Sequence, residues 1–135
     1  MVNTDQLIKK AVKMKENAYI PYSKFPVGAA VSTRSGIIYT GCNIENASYP
    51  LACCAERVAI FKAVSEGERE FTEMAVSANT MRPVPPCGAC RQVMAEFFPA
   101  HMKVHLINKE EHVKTVTVEE LLPFSFQTED LQVRE

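Results

Sequence analysis

The sequence predicts an α/β fold: a single three-layer domain over residues 1–135, in which a mixed sheet of about five strands is flanked by helices. Three observations support this prediction. Segments with a helical period alternate with short apolar segments of strand character. A strand that leads through a helix to another strand forms a βαβ unit, which requires neighbouring parallel strands. A chain of 135 residues fits one domain that buries roughly two-thirds of its unfolded surface without disulfides.

The first elements predicted along the chain are a helix and a hairpin. Thr4 is the expected N-cap of a helix that Pro21 stops. Two short apolar strands follow at 27–31 and 37–39, and the Ser35-Gly36 pair between them predicts a tight hairpin turn.

The middle of the chain predicts two core helices with a strand between them. A polar loop over 43–49 precedes a helix over 55–66, which Gly67 closes in the usual C′ position. Residues 71–78 predict a strand, and a proline-rich loop separates this strand from a helix over 88–97.

The last third of the chain predicts two strands and a short helix. The strands lie at 103–107 and 113–117, separated by a polar turn at 108–111. A helix over 118–122 ends at Pro123. The predicted order is therefore α-β-β-α-β-α-β-β-α, with no internal repeat.

Composition argues against several classes of function. Hydrophobic residues make up 47% of the chain and charged residues 23%, values typical of a soluble globular protein. Fifteen basic and sixteen acidic residues leave a formal charge of −1, which disfavours a groove that binds nucleic acid. No segment approaches the ~18 apolar residues of a membrane span, and residues 1–20 lack the apolar core of a signal peptide.

Five cysteines are the most informative residues: Cys42, Cys53, Cys54, Cys87 and Cys90. An odd number without an export signal indicates a reducing compartment, and we expect a cytoplasmic protein. Cys54 precedes one predicted core helix, while Cys87 and Cys90 begin the other. Because ligands of open α/β sheets bind near such helix N-termini, we expect these three thiols to lie together.

A metal ion is one chemistry that three convergent thiols support. The spacing of Cys87 and Cys90 lets two thiolates reach one ion, and helix N-termini favour the thiolate form. Three thiolates leave one position of a tetrahedral zinc ion open, which is typical of catalytic rather than structural sites. Glu56 follows two residues after Cys54, close enough to reach a water at that position and suited to carry protons.

Two simpler interpretations use the same cysteines. Cys87 and Cys90 would alternatively form a redox pair, or Cys53 or Cys42 would complete a structural zinc site with four thiolates. The redox pair leaves the Cys54-Ala55-Glu56 sequence unexplained, and adjacent cysteines diverge at the start of a helix. Cys42 and Cys53 are more typical of small core residues. The histidines show no ligand spacing and are expected in strands or at the surface: His101, His105 and His112.

Two segments match the signature of the zinc deaminases in its three-cysteine form: Cys54-Ala55-Glu56 and Pro86-Cys87-Gly88-Ala89-Cys90. The wider sequence closely resembles the small homotetrameric cytidine deaminases. Matching segments occur in order along nearly the whole chain, at 21–30, 41–47, 54–57, 86–92, 119–123 and 129–131. Several motifs in the same order make this resemblance specific. The C-x-x-C pair alone would not be specific.

The resemblance implies a cytidine deaminase-like fold and the hydrolysis of cytidine or 2′-deoxycytidine to the uracil nucleoside and ammonia, a reaction of pyrimidine salvage. It implies one zinc ion per chain, held by Cys54, Cys87 and Cys90. Glu56 is implied as the group that carries protons to N3 of the pyrimidine and to the departing amino group. Arg57 is implied as a hydrogen-bond donor to the cysteine ligands.

The resemblance also implies which residues contact the nucleoside. Asn43 and Glu45 correspond to the pair that holds the ribose 3′-hydroxyl group. Phe25 corresponds to the aromatic residue that packs against the pyrimidine. The backbone of Ala55 is the expected hydrogen-bond donor to O2 of the base.

The C-terminal tail is expected to take part in self-association. Phe126 matches an aromatic residue that a neighbouring subunit places over the base, and Phe124 stands two residues earlier as an alternative. These residues and Leu131 lie in a tail too short to build its own core. The resemblance therefore implies a homotetramer with shared active sites, acting on a small nucleoside and on neither nucleic acid nor membranes.

Other functions of the same signature remain as alternatives. A deaminase of another aminopyrimidine nucleoside, such as blasticidin S, would share the zinc site. A polynucleotide deaminase would need a basic, aromatic surface, which the net charge of −1 disfavours. A non-catalytic, zinc-stabilised binding module is an alternative of a different class, and it predicts that Glu56→Gln leaves ligand binding unchanged.

Overall fold

A five-stranded mixed sheet forms the centre of the protein in the computed structural model, which describes residues 2–131. The strands are β1 (Val27–Thr33), β2 (Ile38–Cys42), β3 (Phe71–Ala78), β4 (Lys103–Ile107) and β5 (Val113–Thr117). Their order across the sheet is β2-β1-β3-β4-β5. β3 and β4 pair in parallel, while the other neighbouring strands pair antiparallel. The predicted mixed sheet is confirmed.

Four α-helices accompany the sheet: α1 (Thr4–Met14), α2 (Ala55–Ser65), α3 (Gly88–Phe97) and α4 (Val118–Leu121). Three short 3-10 turns lie between or after them, at Lys15–Asn17, Tyr49–Leu51 and Thr128–Leu131. The order of helices and strands is the predicted one. Among residues 2–131, no helix is long and apolar enough to cross a membrane.

The predicted ends of the first helix are wrong. Asn3, and not Thr4, is the N-cap of α1, since its side chain accepts a hydrogen bond from the Gln6 amide at 2.8 Å. Thr4 lies in the first turn and donates instead to Glu73 on β3 at 2.9 Å. Asn and Thr are both favourable N-caps, so a tertiary contact decides between them. The helix also ends at Met14, well before Pro21.

The two faces of the sheet bury separate cores, as the two-residue period of strands requires. α1 covers one face, where its Leu7 and Ala11 pack with Ala30, Ala75 and Ile107. α2 and α3 cover the opposite face, which is lined by the alternate strand residues Ala29, Val31, Met74, Val76, Val104 and Leu106. The protein therefore has the predicted three layers.

One edge of the sheet brings the starts of α2 and α3 together. β2 and β3 point in the same direction, because each pairs antiparallel with β1. α2 follows β2 and α3 follows β3, so both helices begin beyond the same edge of the sheet, the one formed by the carboxyl ends of β2 and β3. Gly41 lets α2 approach β2 closely, since a Cβ atom there would lie 2.5 Å from both the Ala55 carbonyl oxygen and the Ala59 nitrogen.

Candidate metal centre

Three cysteine side chains meet where α2 and α3 begin. Cys54 is the N-cap residue of α2, Cys87 is the N-cap residue of α3, and Cys90 lies in the first turn of α3. The Sγ atoms of Cys54 and Cys87 are 3.7 Å apart, and those of Cys87 and Cys90 are 3.5 Å apart. All three sulfur atoms lie within 4.8 Å of one another. The predicted convergence of these thiols is confirmed.

The spacing of the sulfur atoms fits a tetrahedral metal ion. A zinc–sulfur bond of ~2.3 Å places two tetrahedral ligands ~3.8 Å apart, close to both of the sulfur distances above. Among the common divalent metals, a thiolate-rich tetrahedral set favours zinc. Three protein ligands also leave one tetrahedral position for another molecule, as in catalytic zinc sites.

Backbone pairing fixes the approach of the chain to Cys54. Ile44 and Cys53 exchange two backbone hydrogen bonds, of 3.0 and 2.9 Å, and form an isolated antiparallel bridge. This bridge ties the start and end of the long β2–α2 loop to each other. Cys54, the N-cap residue before α2, has an extended backbone, and its side chain lies with the other two thiols.

Arg57 and the neighbouring thiols favour negative charge on Cys54. Hydrogen bonds from Cys90 and from Arg57, whose Nη2 lies 3.4 Å from the sulfur, lower the pKa of Cys54 to about 5. The positive end of α2 acts in the same direction. The hydrogen bond to Cys54 and burial raise the pKa of Cys90. A metal ion would replace the protons that remain on the cluster.

The Arg57 guanidinium has a second donor directed into the protein interior. Its Nε is buried and has no hydrogen-bond partner in the part of the chain that the structure describes. The interaction with Cys54 raises the pKa of Arg57 further above its usual range, so its charge is permanent. Arg57 therefore offsets part of the repulsion between thiolates that share one metal ion.

Glu56 follows Cys54 by two residues and is 5% exposed. Burial is the main cause that raises the pKa of Glu56 to about 7, and the Cys54 thiolate acts in the same direction. A carboxyl group with a pKa near neutrality is able to accept and release a proton within one reaction cycle. Glu56 therefore has the properties of a proton carrier beside the sulfur cluster.

Asn43 and Phe25 lie next to each other, at the end of β2 and just before β1. The Asn43 carboxamide donates to the Phe25 carbonyl oxygen at 2.7 Å and accepts from the Val27 amide at 2.9 Å. Asn43 therefore holds the chain that carries Phe25. Phe25 itself is 39% exposed.

Glu45 organises the same loops and lines a small cavity. One of its carboxylate oxygens, Oε1, accepts hydrogen bonds from the Tyr22 and Ser23 amides at 3.0 and 3.1 Å. Hydrogen bonding from the Ser23 side chain is the main cause that lowers the pKa of Glu45, and the two amide bonds act in the same direction. The cavity measures about 320 Å³, and Tyr49 packs edge-on against Tyr22 at its rim. Sequence analysis missed both tyrosines as lining residues, although each lies within or beside a matching motif.

Phe126 and Phe124 lie in the C-terminal tail. Phe126 is 56% exposed and Phe124 is fully exposed, with the unusual φ of 52°. Both line a groove of about 650 Å³ between the tail, α3 and α4, which none of the three clustered cysteines lines. It stays a prediction that one of these aromatic residues covers the base bound by a neighbouring subunit.

The other cysteines and the histidines lie outside the sulfur cluster. Cys42 is buried at the end of β2, as expected for a core residue, and burial raises its pKa. Cys53 is half-buried, and its pKa is also raised by burial. His105 is buried on the α1 face of the sheet, where its two ring nitrogens hydrogen-bond Thr115 and Glu73. Within residues 2–131, the three clustered thiols are thus the group positioned for a metal.

Comparison with known proteins agrees with this geometry. Residues 1–106 match the family model described as the cytidine and deoxycytidylate deaminase zinc-binding region. A cytidine deaminase of Halalkalibacterium halodurans is 55% identical over 130 residues, which cover 96% of this chain and 98% of the relative. A cytidine deaminase of Sporosarcina psychrophila is 53% identical over 130 residues, covering 96% of each chain.

A solved structure has the same fold. The crystal structure of a cytidine deaminase from Burkholderia pseudomallei superposes with a TM-score of 0.90 and 46% sequence identity. The match covers 93% of this chain and all of the crystallised one. The layered arrangement around the mixed sheet is therefore shared across nearly the full length.

Adjacent cysteines provide a matched test of the metal site. We expect Cys54→Ser to lower the zinc affinity by about a hundredfold or more, since removing a ligand costs more than removing an outer partner. Cys53→Ser should retain the wild-type affinity, because Cys53 lies outside the cluster. Competition with a chromogenic chelator measures both. Unchanged affinity in Cys54→Ser, with a loss in Cys53→Ser, would assign the ligand role to Cys53.

Proposed function

The chain belongs to the cytidine and deoxycytidylate deaminase family, and we propose that it hydrolyses cytidine and 2′-deoxycytidine to the uracil nucleosides and ammonia. The observation that carries this proposal is the meeting of three thiols and one buried carboxyl group at a single edge of the sheet. The full-length likeness to cytidine deaminases supports it. We further propose that residues 1–135 form one catalytic domain, which works in pyrimidine salvage in the cytoplasm.

We assign one zinc ion per chain to Cys54, Cys87 and Cys90. When bound, zinc supplies a Lewis acid that activates a water molecule for attack on C4 of the pyrimidine. Arg57 donates to Cys54 and stabilises the ligand charge. The two helix N-termini add positive potential at the same place.

Glu56 moves the protons that the reaction requires. It accepts a proton from the attacking water and delivers it to N3 of the base. A C–O bond forms at C4, and Glu56 then carries the second proton of the water to the amino group. The C4–N bond breaks, ammonia leaves, and a carbonyl group remains at C4. A pKa of Glu56 near 7 suits a group that both takes up and releases protons.

The residues around the neighbouring loops bind the nucleoside. Both loop amides bind Oε1 of Glu45, and we assign the Glu45 carboxylate, with Asn43 beside it, to a ribose hydroxyl group. The Ala55 amide lies in the first turn of α2, where helix amides have no intrahelical partner, and donates to O2 of the base. Phe25 packs against the pyrimidine ring.

Self-association completes the site. Large apolar side chains are exposed in the β2–α2 loop and along the tail: Tyr49, Leu51, Phe124, Phe126 and Leu131. Exposed apolar surface of this extent is typical of a protein–protein interface. We propose a homotetramer in which Phe126 of each chain covers the base bound by a neighbour.

Sedimentation equilibrium tests the assembly. We expect a mass four times that of one chain, the stoichiometry that the resemblance implies, with the exposed apolar residues buried between subunits. The double substitution of Phe124 and Phe126 by serine should weaken the association. A wild-type protein that sediments as a monomer would contradict the proposed homotetramer.

The decrease in ultraviolet absorbance on conversion of cytidine to uridine tests the activity. We expect steady turnover of cytidine and of 2′-deoxycytidine by the purified protein. Removal of zinc with a chelator should abolish turnover, and added zinc should restore it. Full activity of the metal-free protein would refute the zinc site, while turnover of blasticidin S alone would favour a different nucleoside substrate.

Glu56→Gln separates catalysis from folding. We expect kcat to fall by at least about 10²–10⁴-fold, because the amide cannot accept and return a proton. Zinc content and thermal stability should stay close to wild type, since glutamine has the same shape. Glu66→Gln, at the exposed end of the same helix, is the matched control and should retain full activity. Normal turnover of Glu56→Gln would remove Glu56 from its role.

A further inference from the structure

Arg91 follows Cys90 on α3, and its side chain binds two carbonyl groups that are distant from each other in the sequence. Its Nε donates to the Pro86 carbonyl oxygen at 2.7 Å, and its Nη1 donates to the Leu121 carbonyl oxygen at 2.8 Å. Pro86 is buried and directly precedes Cys87, whose side chain is exposed. The first hydrogen bond therefore fixes the peptide unit that positions Cys87.

The second hydrogen bond fixes the start of the tail over residues 122–131. Leu121 is the last residue of α4, where a cationic group is favourable because carbonyl groups lack partners. The next residue of α3, Gln92, donates to the Phe126 carbonyl oxygen at 2.9 Å. Two adjacent side chains of α3 thus hold the main chain directly before the tail, at Leu121, and within it, at Phe126.

We propose that Arg91 is a positioning residue that couples the order of the tail to the geometry of the metal centre. The inference rests on the proposed function, which assigns Cys87 and Cys90 as zinc ligands. A planar guanidinium presents its donors in a fixed geometry, so the contact at Leu121 restrains the contact at Pro86.

Loss of tail packing would therefore loosen one ligand in particular. Residues 79–86 form an irregular loop, and Cys87 stands at its end. Cys90, by contrast, is fully buried within α3. If the Leu121 carbonyl moves away, Arg91 gains rotational freedom and the Pro86 contact weakens. Coupling of this kind is reciprocal, so a bound metal ion would also favour the docked tail.

Zinc release from the zinc-loaded, full-length protein to a chromogenic chelator tests the coupling. We expect Arg91→Lys to release zinc about tenfold faster, because lysine keeps the charge and loses the two-carbonyl contact. Gln92→Ala should release zinc about threefold faster, as expected for one lost hydrogen bond at the tail. In the double variant, Gln92→Ala should add nothing, because Arg91 no longer transmits the change.

Arg69→Lys is the matched control. Arg69 Nη1 also donates to two backbone carbonyl oxygens, those of Val64 in the last turn of α2 and of Glu68 just after it, at 2.9 and 2.7 Å. We expect wild-type zinc release from this variant. The visible spectrum of the cobalt-substituted protein reports the coordination of the metal and does not depend on global stability. It should change in Arg91→Lys and stay unchanged in Arg69→Lys.

Each result bears on a defined part of the inference. Wild-type zinc release and an unchanged cobalt spectrum in Arg91→Lys would overturn the role of Arg91. Additive effects in the double variant, or wild-type release from Gln92→Ala alone, would overturn the coupling. These results would leave the proposed function intact if the wild type holds zinc and deaminates cytidine. A wild type that binds no zinc would contradict both.

Discussion

The approach of two helix N-termini at one edge of the sheet is the constraint on which the site depends. β2 and β3 are parallel across β1, so α2 and α3 must begin on the same side. That arrangement places three sulfur atoms within 4.8 Å of one another. Ionised thiols at this distance repel strongly, and the helix ends and Arg57 supply the positive potential that offsets the repulsion.

The two kinds of acid at this edge differ in the effect that controls their pKa. Cys54 is half-buried, and hydrogen bonds favour its thiolate form more than burial opposes it. Glu56 is almost fully buried, and the loss of water dominates its pKa. One turn of helix therefore presents an anionic thiolate beside a carboxyl group whose pKa lies near 7. This contrast is what a proton carrier beside a metal ion requires.

The irregular segments are organised by side chains that bind backbone groups. Asn43 and Glu45, in the loop after β2, each hold two backbone positions before or at the start of β1. Arg91 does the same between the loop before Cys87 and the end of α4. Such contacts give loops a defined shape without regular secondary structure, because each satisfies polar groups that the fold would otherwise leave unpaired.

The amino-acid sequence by itself determined the order of the helices and strands, the three thiols that converge and the position of Glu56 beside them. The order of the elements and the position of Glu56 follow from local periodicity and motif spacing, and the convergence of the thiols follows from the rule that ligands of open α/β sheets bind near helix N-termini. Only the tertiary structure decided that Asn3 caps α1, that burial raises the pKa of Glu56, and that Arg91 joins Pro86 to Leu121. Each of these depends on residues far apart in the chain, whose distance no local pattern encodes.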